Sequence, residues 1–334
     1  MSATPESADS TAAWATQAER SNAWALRVMR WFAVTLGRRA SRLLLHPITL
    51  YFLLAGGPTM RASVDYLRRV YGRPPLWRER YGHVHHFAAT LLDRVYLLRG
   101  DFGLFHIDAV GTDHLDSVVR AGRGAFLLGG HLGSFEALRA VGVQRRGARV
   151  AMLMYEKNAQ LLMQMLRAIA PDAVLRIIGL GRMEAMLELR DWLDAGGVAG
   201  LLADRTLLGP AGAVGRSRTH WVDFLGQPAA FSDGPFRLAA LLRRPVVFMT
   251  GLYLGGDRYQ VHFVPLADFS DAIDPATGRK RAPSDTDIDA AVQRYVELLE
   301  THCRQAPLNW FNFFDFWAGS PVPHNASDAK RDPS

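Results

Sequence analysis

The sequence is poor in cysteine and in lysine, and each shortage excludes something. Cys303 is the only cysteine among 334 residues, so no disulfide can form within the chain. This usage is typical of a reducing compartment. Lys and Arg together number 39 against 32 Asp and Glu, but lysine occurs only at Lys157, Lys280 and Lys330. The net charge of +7 is therefore carried by arginine, which suits phosphates, anionic head groups or an acidic protein. Nucleic acid would suit the same charge but is not among the partners that we expect.

A long apolar run is also missing, since a helix that spans a bilayer needs about 20 apolar residues. The run from Leu43 to Leu54 reads LLLHPITLYFLL and is interrupted by Pro47. An apolar helix is predicted before it, from Trp24 to Leu36, and Arg38, Arg39 and Arg42 follow that helix. We expect residues 23–82 to form a membrane-associated helical segment whose arginines extend to anionic head groups. The sequence leaves open an interfacial wedge, a single span made of both pieces, or an ordinary buried hairpin.

The two ends of the chain differ from the rest in composition. Residues 1–22 are polar, acidic and small, show no secretory signal pattern and are expected to be a disordered lead. Residues 319–334, with Pro, Asn, Asp and Lys, are expected to be a disordered tail.

From about residue 125 the pattern predicts strands that alternate with helices, hence an α/β fold with a mainly parallel sheet in one domain over residues 83–318. The predicted strands are Gly124–Leu128, Val150–Met154, Val174–Ile178, Val198–Leu202, Pro245–Leu252 and an edge strand Tyr259–Val264. The predicted helices are Asn158–Ala168, Arg182–Asp194 and Asp287–Arg304. The HVHH run at His83 to His86 is predicted as a strand before a helix at Phe87. Without a nearby cysteine or carboxylate it predicts no metal site, and no cofactor is expected.

The most informative stretch is FLLGGHLGSFEALR, residues 126–139. A strand ends at a glycine pair, His131 follows, and a helix begins near Phe135 with Ser134 as its N-cap. His131 is therefore expected at the carboxyl end of a strand, where α/β sheets place their sites. Glu136 lies in the first helical turn, close enough to fold back on the imidazole.

This pairing predicts general base catalysis. An imidazole can take the proton of an alcohol that attacks an acyl carbonyl, and a carboxylate on the other ring nitrogen fixes the tautomer. Backbone N–H groups near Gly133 are expected to hold the oxyanion. The hydroxyl would belong to the substrate, because Ser134 does not lie in a G-x-S-x-G pattern. A purely structural His131 remains the alternative at this point.

These residues resemble a known family. GGHLGSFE has the H-x4-D/E form of glycerolipid acyltransferases, and its setting resembles the lipid A biosynthesis (lauroyl/myristoyl) acyltransferases. The Arg-rich apolar start, GVAGLLADRT with Asp204, WVDFLGQPAAFSDGPFRLAALLRRPVVF and NWFNFFDFW resemble four blocks of that family, over Trp24 to Trp317. Asp204-Arg205 stands where the best-known members usually carry Asp-Gln, and the last block is richer in Phe and Asn. Both departures resemble a side branch that serves other products, such as aryl-polyene-type lipids.

The resemblance implies an O-acyltransferase at the cytoplasmic face of the bacterial inner membrane. Its donor would be an acyl thioester, usually of acyl carrier protein, although coenzyme A stays open. Its acceptor would be a hydroxyl of a lipid or glycolipid. A thioesterase that uses the same histidine and a non-catalytic lipid-binding membrane protein are the competing hypotheses.

Several further residues are candidates for substrate binding. Gly133 and Ser134 line the loop, and Asp204 and Arg205 follow a buried strand, where Arg205 would hold a phosphate or the oxyanion unless the two form a structural pair. Arg216 and Arg218 are expected to contact an anionic substrate from a Gly-rich loop, or else to be solvated. The polar and aromatic residues of the last block either wall an acyl pocket or pack as terminal core; they are Asn309, Trp310, Asn312, Asp315 and Trp317.

Overall fold

The fold is given by a computed structural model that describes residues 23–144, 149–155, 176–205, 218–271 and 281–321. The expected lead, the end of the expected tail, the predicted helix Asn158–Ala168 and Arg216 lie outside the described residues. The helices are α1 (Ala23–Ala55), α2 (Gly57–Tyr71), α3 (Trp77–Arg99), α4 (Thr112–Arg120), α5 (Phe135–Gln144), α6 (Met183–Asp194), α7 (Gly234–Leu241) and α8 (Asp285–Gln305), with a short 3₁₀ turn at Phe102–Leu104.

A seven-stranded, mostly parallel sheet forms the centre of the domain, which confirms the α/β prediction. Its strands are β1 (His106–Val110), β2 (Ala125–Gly129), β3 (Val150–Tyr155), β4 (Arg176–Leu180), β5 (Val198–Leu202), β8 (Pro245–Tyr253) and β9 (Arg258–Asp268). They lie in the order β1-β9-β8-β2-β5-β3-β4, and only the β8–β9 pair is antiparallel. A separate hairpin joins β6 (Thr219–Phe224) to β7 (Gln227–Ser232).

The central strand β2 is buried on both faces, which explains its uninterrupted apolar sequence. Phe126 and Leu128 pack into one apolar layer together with residues of α6, α7 and α8. Ala125 and Leu127 pack into the other layer, with residues of α3 and α5. The sheet therefore lies between two layers of helices, and its carboxyl edge is where β2 and β5 both end.

Two local predictions are wrong. The predicted edge strand is β9, but it pairs with β8 on one side and with β1 on the other, so β1 is the edge. The short, alternating sequence of β1 had given no strand prediction. The HVHH run is not a strand either: His83 to His86 lie inside α3, which begins at Trp77.

The N-terminal helices precede the sheet domain, as expected, and α1 is interrupted directly after Leu36, where the first apolar helix was predicted to end, but not at Pro47. The helix continues through Pro47, whereas Gly37 has φ 73° and ψ 169° and interrupts it. Only glycine reaches that conformation without strain, so the kink belongs to Gly37.

The arginines that follow the first apolar helix do not all extend outward. Arg38 binds Asp93 of α3 through two hydrogen bonds of 2.8 and 2.9 Å, and the hydroxyl of Tyr259 donates to the same carboxylate at 2.9 Å. Arg42 donates to the hydroxyl of Tyr253 at 2.6 Å. The expectation that these side chains contact head groups is therefore wrong for Arg38 and Arg42, because a fully buried carboxylate on α3 attracts them inward. Arg39 is exposed.

No single helix in the described part of the chain is long and apolar enough to cross a bilayer. The segments Val34–Ala55 and Gly57–Tyr71, which meet at 95°, pass that test only as a bent pair, by length and composition. Several large apolar side chains of this segment are exposed, among them Leu43 at 69%, Tyr51 at 65% and Leu54 at 81%.

Candidate active site

The loop between β2 and α5 places His131 at the carboxyl edge of the sheet, as predicted. Gly133 makes the turn possible: its φ is +75°, and a Cβ on this residue would lie 2.0 Å from the carbonyl oxygen of Gly251. Ser134 then caps α5 by accepting a hydrogen bond from the N–H of Ala137 at 3.3 Å. The side chain of His131 is 27% exposed, so a substrate can reach the ring.

Asp204 is the carboxylate that contacts His131. Because β5 is the parallel neighbour of β2, the residue two positions beyond the end of β5 comes to the same edge. The Oδ1 of Asp204 lies 2.8 Å from Nδ1 of His131, and Oδ2 accepts a hydrogen bond of 2.8 Å from the backbone N–H of His131. The sequence predicts that Asp204 binds the substrate, but its side chain is fully buried and makes no direct contact with the surface of the site. Its position favours an orienting role instead.

The pKa of Asp204 is about 2. Burial acts to raise that pKa, but the charge and hydrogen bonds of His131 and the nearby charge of Arg205 lower it by a larger amount. The carboxylate is thus ionised near neutral pH and can only accept hydrogen bonds. It follows that Nδ1 of the imidazole carries the proton and that Nε2 of the neutral ring presents its lone pair.

Glu136 does not occupy the position predicted for it. Its carboxylate lies 2.7 Å from Nε of Arg94 on α3, and it accepts a hydrogen bond of 3.2 Å from the hydroxyl of Ser134. The imidazole nitrogen that was expected to face Glu136 faces Asp204 instead. Glu136 therefore links the start of α5 to α3.

The C-terminal segment packs against the loop of His131 and against Asp204. Nε1 of Trp310 donates to Oδ2 of Asp204 at 3.0 Å, and the N–H of Phe311 donates to the carbonyl of His131 at 2.7 Å. Asn309 holds this segment in place, because its side chain bonds both the N–H and the carbonyl of Tyr253, at 2.7 and 3.0 Å. The sequence predicts Trp310 in the terminal core or in an acyl pocket, and the structure places it in the buried core. Its contact with Asp204 was not predicted.

The N–H groups expected to hold an oxyanion are already bonded. The N–H of Gly133 donates to the carbonyl of Asn309 at 2.9 Å, and that of Ser134 donates to the carbonyl of Gly251 at 2.7 Å. These two donors fix the loop. Neither of them is free to hold an oxyanion.

Arg205 and Arg218 are the remaining described candidates for substrate binding. Arg205 follows Asp204 directly, and its guanidinium lies 5.3 Å from the centre of the Phe314 ring. Arg218 contacts acidic residues on other elements: its N–H donates to Asp233 at 2.7 Å and its guanidinium lies 3.4 Å from Asp285. The structure thus joins Arg218 to the start of α7 and to α8.

His83 is engaged on both ring nitrogens, which excludes it as a metal ligand in this arrangement. Nδ1 lies 2.7 Å from the hydroxyl of Ser63 and Nε2 lies 2.9 Å from the carbonyl of Trp310. Burial lowers the pKa of His83 to about 4, so the ring is neutral. His83 thereby braces the segment that contacts Asp204.

The arrangement of His131, Asp204 and Trp310 suits proton abstraction. A partly exposed imidazole has one nitrogen fixed by a buried carboxylate and the other without a hydrogen bond to any described residue, which is the geometry of a general base.

Sequence comparison agrees with this chemistry. The profile of the bacterial lipid A biosynthesis acyltransferases matches residues 105–318, well over half of the chain, and this span includes His131, Asp204 and Trp310. A comparison with curated proteins finds no match. The chain belongs to the bacterial lipid A biosynthesis acyltransferase family, whose activity is acyl transfer in lipid biosynthesis.

Proposed function

We propose that this protein transfers a fatty acyl group from a thioester to a hydroxyl of a lipid or glycolipid, with His131 as the general base. The observation that carries this proposal is the contact of 2.8 Å between Nδ1 of His131 and the buried carboxylate of Asp204. Nε2 takes the proton of the acceptor hydroxyl as its oxygen attacks the acyl carbon. The C–S bond then breaks, and the imidazolium returns the proton to the leaving thiolate. Asp204 stabilises the imidazolium between these steps.

The roles of the other residues follow from their contacts. Asp204 and Trp310 are positioning residues, because they act on the substrate only through His131. Ser134 and Glu136 hold the start of α5, and the charge of Arg205 acts on the carboxylate of Asp204. An acidic acyl carrier protein is the donor that fits the arginine-rich chain, and the acceptor is either a lipid A precursor or another lipid, such as an aryl-polyene-type product.

The test measures thiol release from a dodecanoyl thioester of acyl carrier protein, with detergent-extracted bacterial lipids as acceptor and mass spectrometry of the products. His131→Ala should abolish acyl transfer while circular dichroism shows an intact fold. His106→Ala is the matched control, since the side chain of His106 is 80% exposed at the edge strand and its imidazole contacts the surface residue Asp257. Full activity of His131→Ala would refute the proposal. Full-rate thiol release without acceptor lipid would make the protein a thioesterase.

We further propose that α1 and α2 attach the protein to the inner face of the cytoplasmic membrane. The support is the exposure of Leu43, Tyr51 and Leu54 on a segment that also exposes Arg39 and Arg61. Apolar side chains beside cations match an anionic bilayer surface. Such a surface would present the lipid acceptor to the site.

Vesicle flotation tests this attachment. A variant with Leu43→Ser, Tyr51→Ser and Leu54→Ser should lose binding to vesicles that contain phosphatidylglycerol. The control variant carries Met183→Ser and Leu241→Ser, because these side chains are 75% and 67% exposed but lie on α6 and α7. Equal binding by both variants would contradict the attachment.

A further inference from the structure

An open groove of about 720 Å³ lies where the break in α1 meets the end of α3. Gly37 at the break and Gly103 in the 3₁₀ turn after α3 both line it, and a Cβ on either residue would meet nothing within 4 Å. The volume falls in the range of about 300–1,000 Å³ that ligand sites occupy. The groove shares no described residue with the site formed by His131, Asp204 and Trp310, so it is a second site.

The lining of the groove combines apolar and basic side chains. Three apolar side chains of the lining are each roughly half exposed: Val34, Leu36 and Leu104. Of the arginines in the lining, Arg99 lies 3.3 Å from Asp101, whereas no acidic side chain among the described residues forms an ion pair with the exposed Arg39. An unpaired guanidinium beside exposed apolar surface suits a ligand that carries both an anionic group and a hydrocarbon chain.

Arg39 also continues the exposed apolar stripe of α1 toward the groove. Leu43, Leu50 and Leu54 are exposed, and successive steps of four, seven and four residues place them with Arg39 on one face of the helix. Leu43 and Leu54 are two of the side chains proposed above to contact the bilayer. A ligand that reaches the groove from this face is therefore a bilayer lipid, since a free phosphate would leave the apolar lining in contact with water.

We propose that this groove binds one anionic phospholipid, with its phosphate beside Arg39 and an acyl chain along Val34, Leu36 and Leu104. The inference extends the membrane attachment proposed above and needs no acyl donor. Contact of the apolar stripe with a bilayer is unspecific, whereas the groove holds a single lipid between α1 and the end of α3. That lipid ties the two helices together and fixes the orientation of the domain on the membrane.

Native mass spectrometry of the full-length protein in non-ionic detergent tests the inference without a bilayer. Titration with palmitoyl-oleoyl phosphatidylglycerol should give one retained lipid, bound about fivefold more tightly than phosphatidylcholine of the same chains, because Arg39 favours a net negative head group. Gly103→Trp should weaken this binding at least about tenfold, since an indole in the open space would displace two or more methylene groups from the groove. Gly103→Ala is the matched control and should bind as the wild type does.

Two further variants separate the charge from the shape of the groove. Arg39→Gln should abolish the preference for phosphatidylglycerol, whereas Arg61→Gln, which removes an equal exposed charge on α2 outside the groove lining, should keep it. Gly103→Leu serves if circular dichroism shows that Gly103→Trp does not fold. Equal lipid binding by Gly103→Trp, Gly103→Leu and wild type would overturn the inference, and so would equal losses for Arg39→Gln and Arg61→Gln.

The same titration identifies other occupants. A wild type that retains inorganic phosphate as well as it retains the lipid, or that retains neither, would overturn the inference. So would a wild-type dimer that Gly103→Trp makes monomeric, because a second copy of the chain would then fill the groove. The variant with Leu43→Ser, Tyr51→Ser and Leu54→Ser should lose vesicle binding and still retain one phosphatidylglycerol in detergent. If it loses vesicle binding while Gly103→Trp retains the lipid, the attachment stands and only this inference fails.

Discussion

Replacing Asp204 with asparagine would test the orientation of the imidazole with almost no change in shape. Oδ2 of Asp204 accepts from two donors, the backbone N–H of His131 and Nε1 of Trp310, at 2.8 and 3.0 Å. The oxygen of an asparagine must take that place, because an NH2 group there would face two N–H groups. The NH2 group then faces Nδ1 of His131, where Oδ1 now lies at 2.8 Å.

The consequence is a change of tautomer. With an N–H donor opposite it, Nδ1 must accept, so the ring proton moves to Nε2 and the lone pair needed for the acceptor hydroxyl is lost. The same substitution in the serine protease triad lowers kcat about 10⁴-fold. We expect a loss on the order of 10³- to 10⁴-fold for Asp204→Asn, or about 4 to 5 kcal/mol of transition-state stabilisation.

The assay is kcat for thiol release from the dodecanoyl carrier thioester, together with the melting temperature. Asp233→Asn is the control: Asp233 is also fully buried and also faces a histidine, His220, at 3.1 Å, but in the network of Arg218 and Arg237. It should leave kcat within about tenfold of wild type. A wild-type kcat for Asp204→Asn would show that Asp204 does not set the tautomer and would refute the mechanism.

Three further outcomes are expected. Glu136→Ala should keep a kcat at least about tenfold higher than that of Asp204→Asn, because Glu136 contacts Arg94 and Ser134 and not the imidazole. Equal losses of kcat would show that Glu136 acts together with His131 in catalysis. Gly133→Ala should lower the free energy of unfolding by about 1–3 kcal/mol, since it adds a Cβ at φ +75° against Gly251. Gly142→Ala near the end of α5 should raise it by about 0.5–1 kcal/mol, since the added Cβ would meet a side-chain carbon of Val150 at 3.8 Å, an ordinary contact; urea unfolding compares the two variants. Acidification from pH 7 to 5 should remove about 2 kcal/mol of the free energy of unfolding through His83, because its pKa is about 4 in the folded chain and near 6.5 when unfolded, so protons bind preferentially to the unfolded state. His86, whose pKa is also about 4, acts in the same direction, so His83→Gln should remove only the share of His83 from the measured pH dependence.

The fold was predictable because its signals are local. Apolar runs such as Val198–Leu202, followed by helical patterns, indicate buried parallel strands without knowledge of the rest of the chain. The bounds of β5 agree with the prediction, and those of β8 and α8 differ by one or two residues. Strand order is not local: β1 lies at an edge next to β9, far along the chain, which its five residues do not reveal.

The partner of His131 was mispredicted for the same reason. Sequence spacing favoured Glu136, five residues away, whereas the observed carboxylate lies 73 positions along the chain. One signal was available, since Asp204 follows a buried strand and the carboxyl ends of parallel strands meet at one edge. Which strand would lie next to β2 could not be read from the pattern.

The N-terminal arginines illustrate a similar limit. A run of arginines beside apolar residues indicates contact with anionic lipid, but its partners depend on what packs against it. Asp93 lies among apolar residues in the second half of α3, is fully buried and binds Arg38 directly. A carboxylate on the buried face of a helix was the available sign that a distant cation would be drawn inward.

The hydrogen bonds between residues 309–311 and the loop of His131 have a consequence for a shortened chain. Every described strand lies before Asn309, so the sheet does not need this segment for its pairing, whereas the loop of His131 is bonded to it directly. Proteolytic trimming before Asn309 would therefore yield a polypeptide that keeps those strands, loses the contacts that hold the imidazole in place and no longer consumes acyl donor.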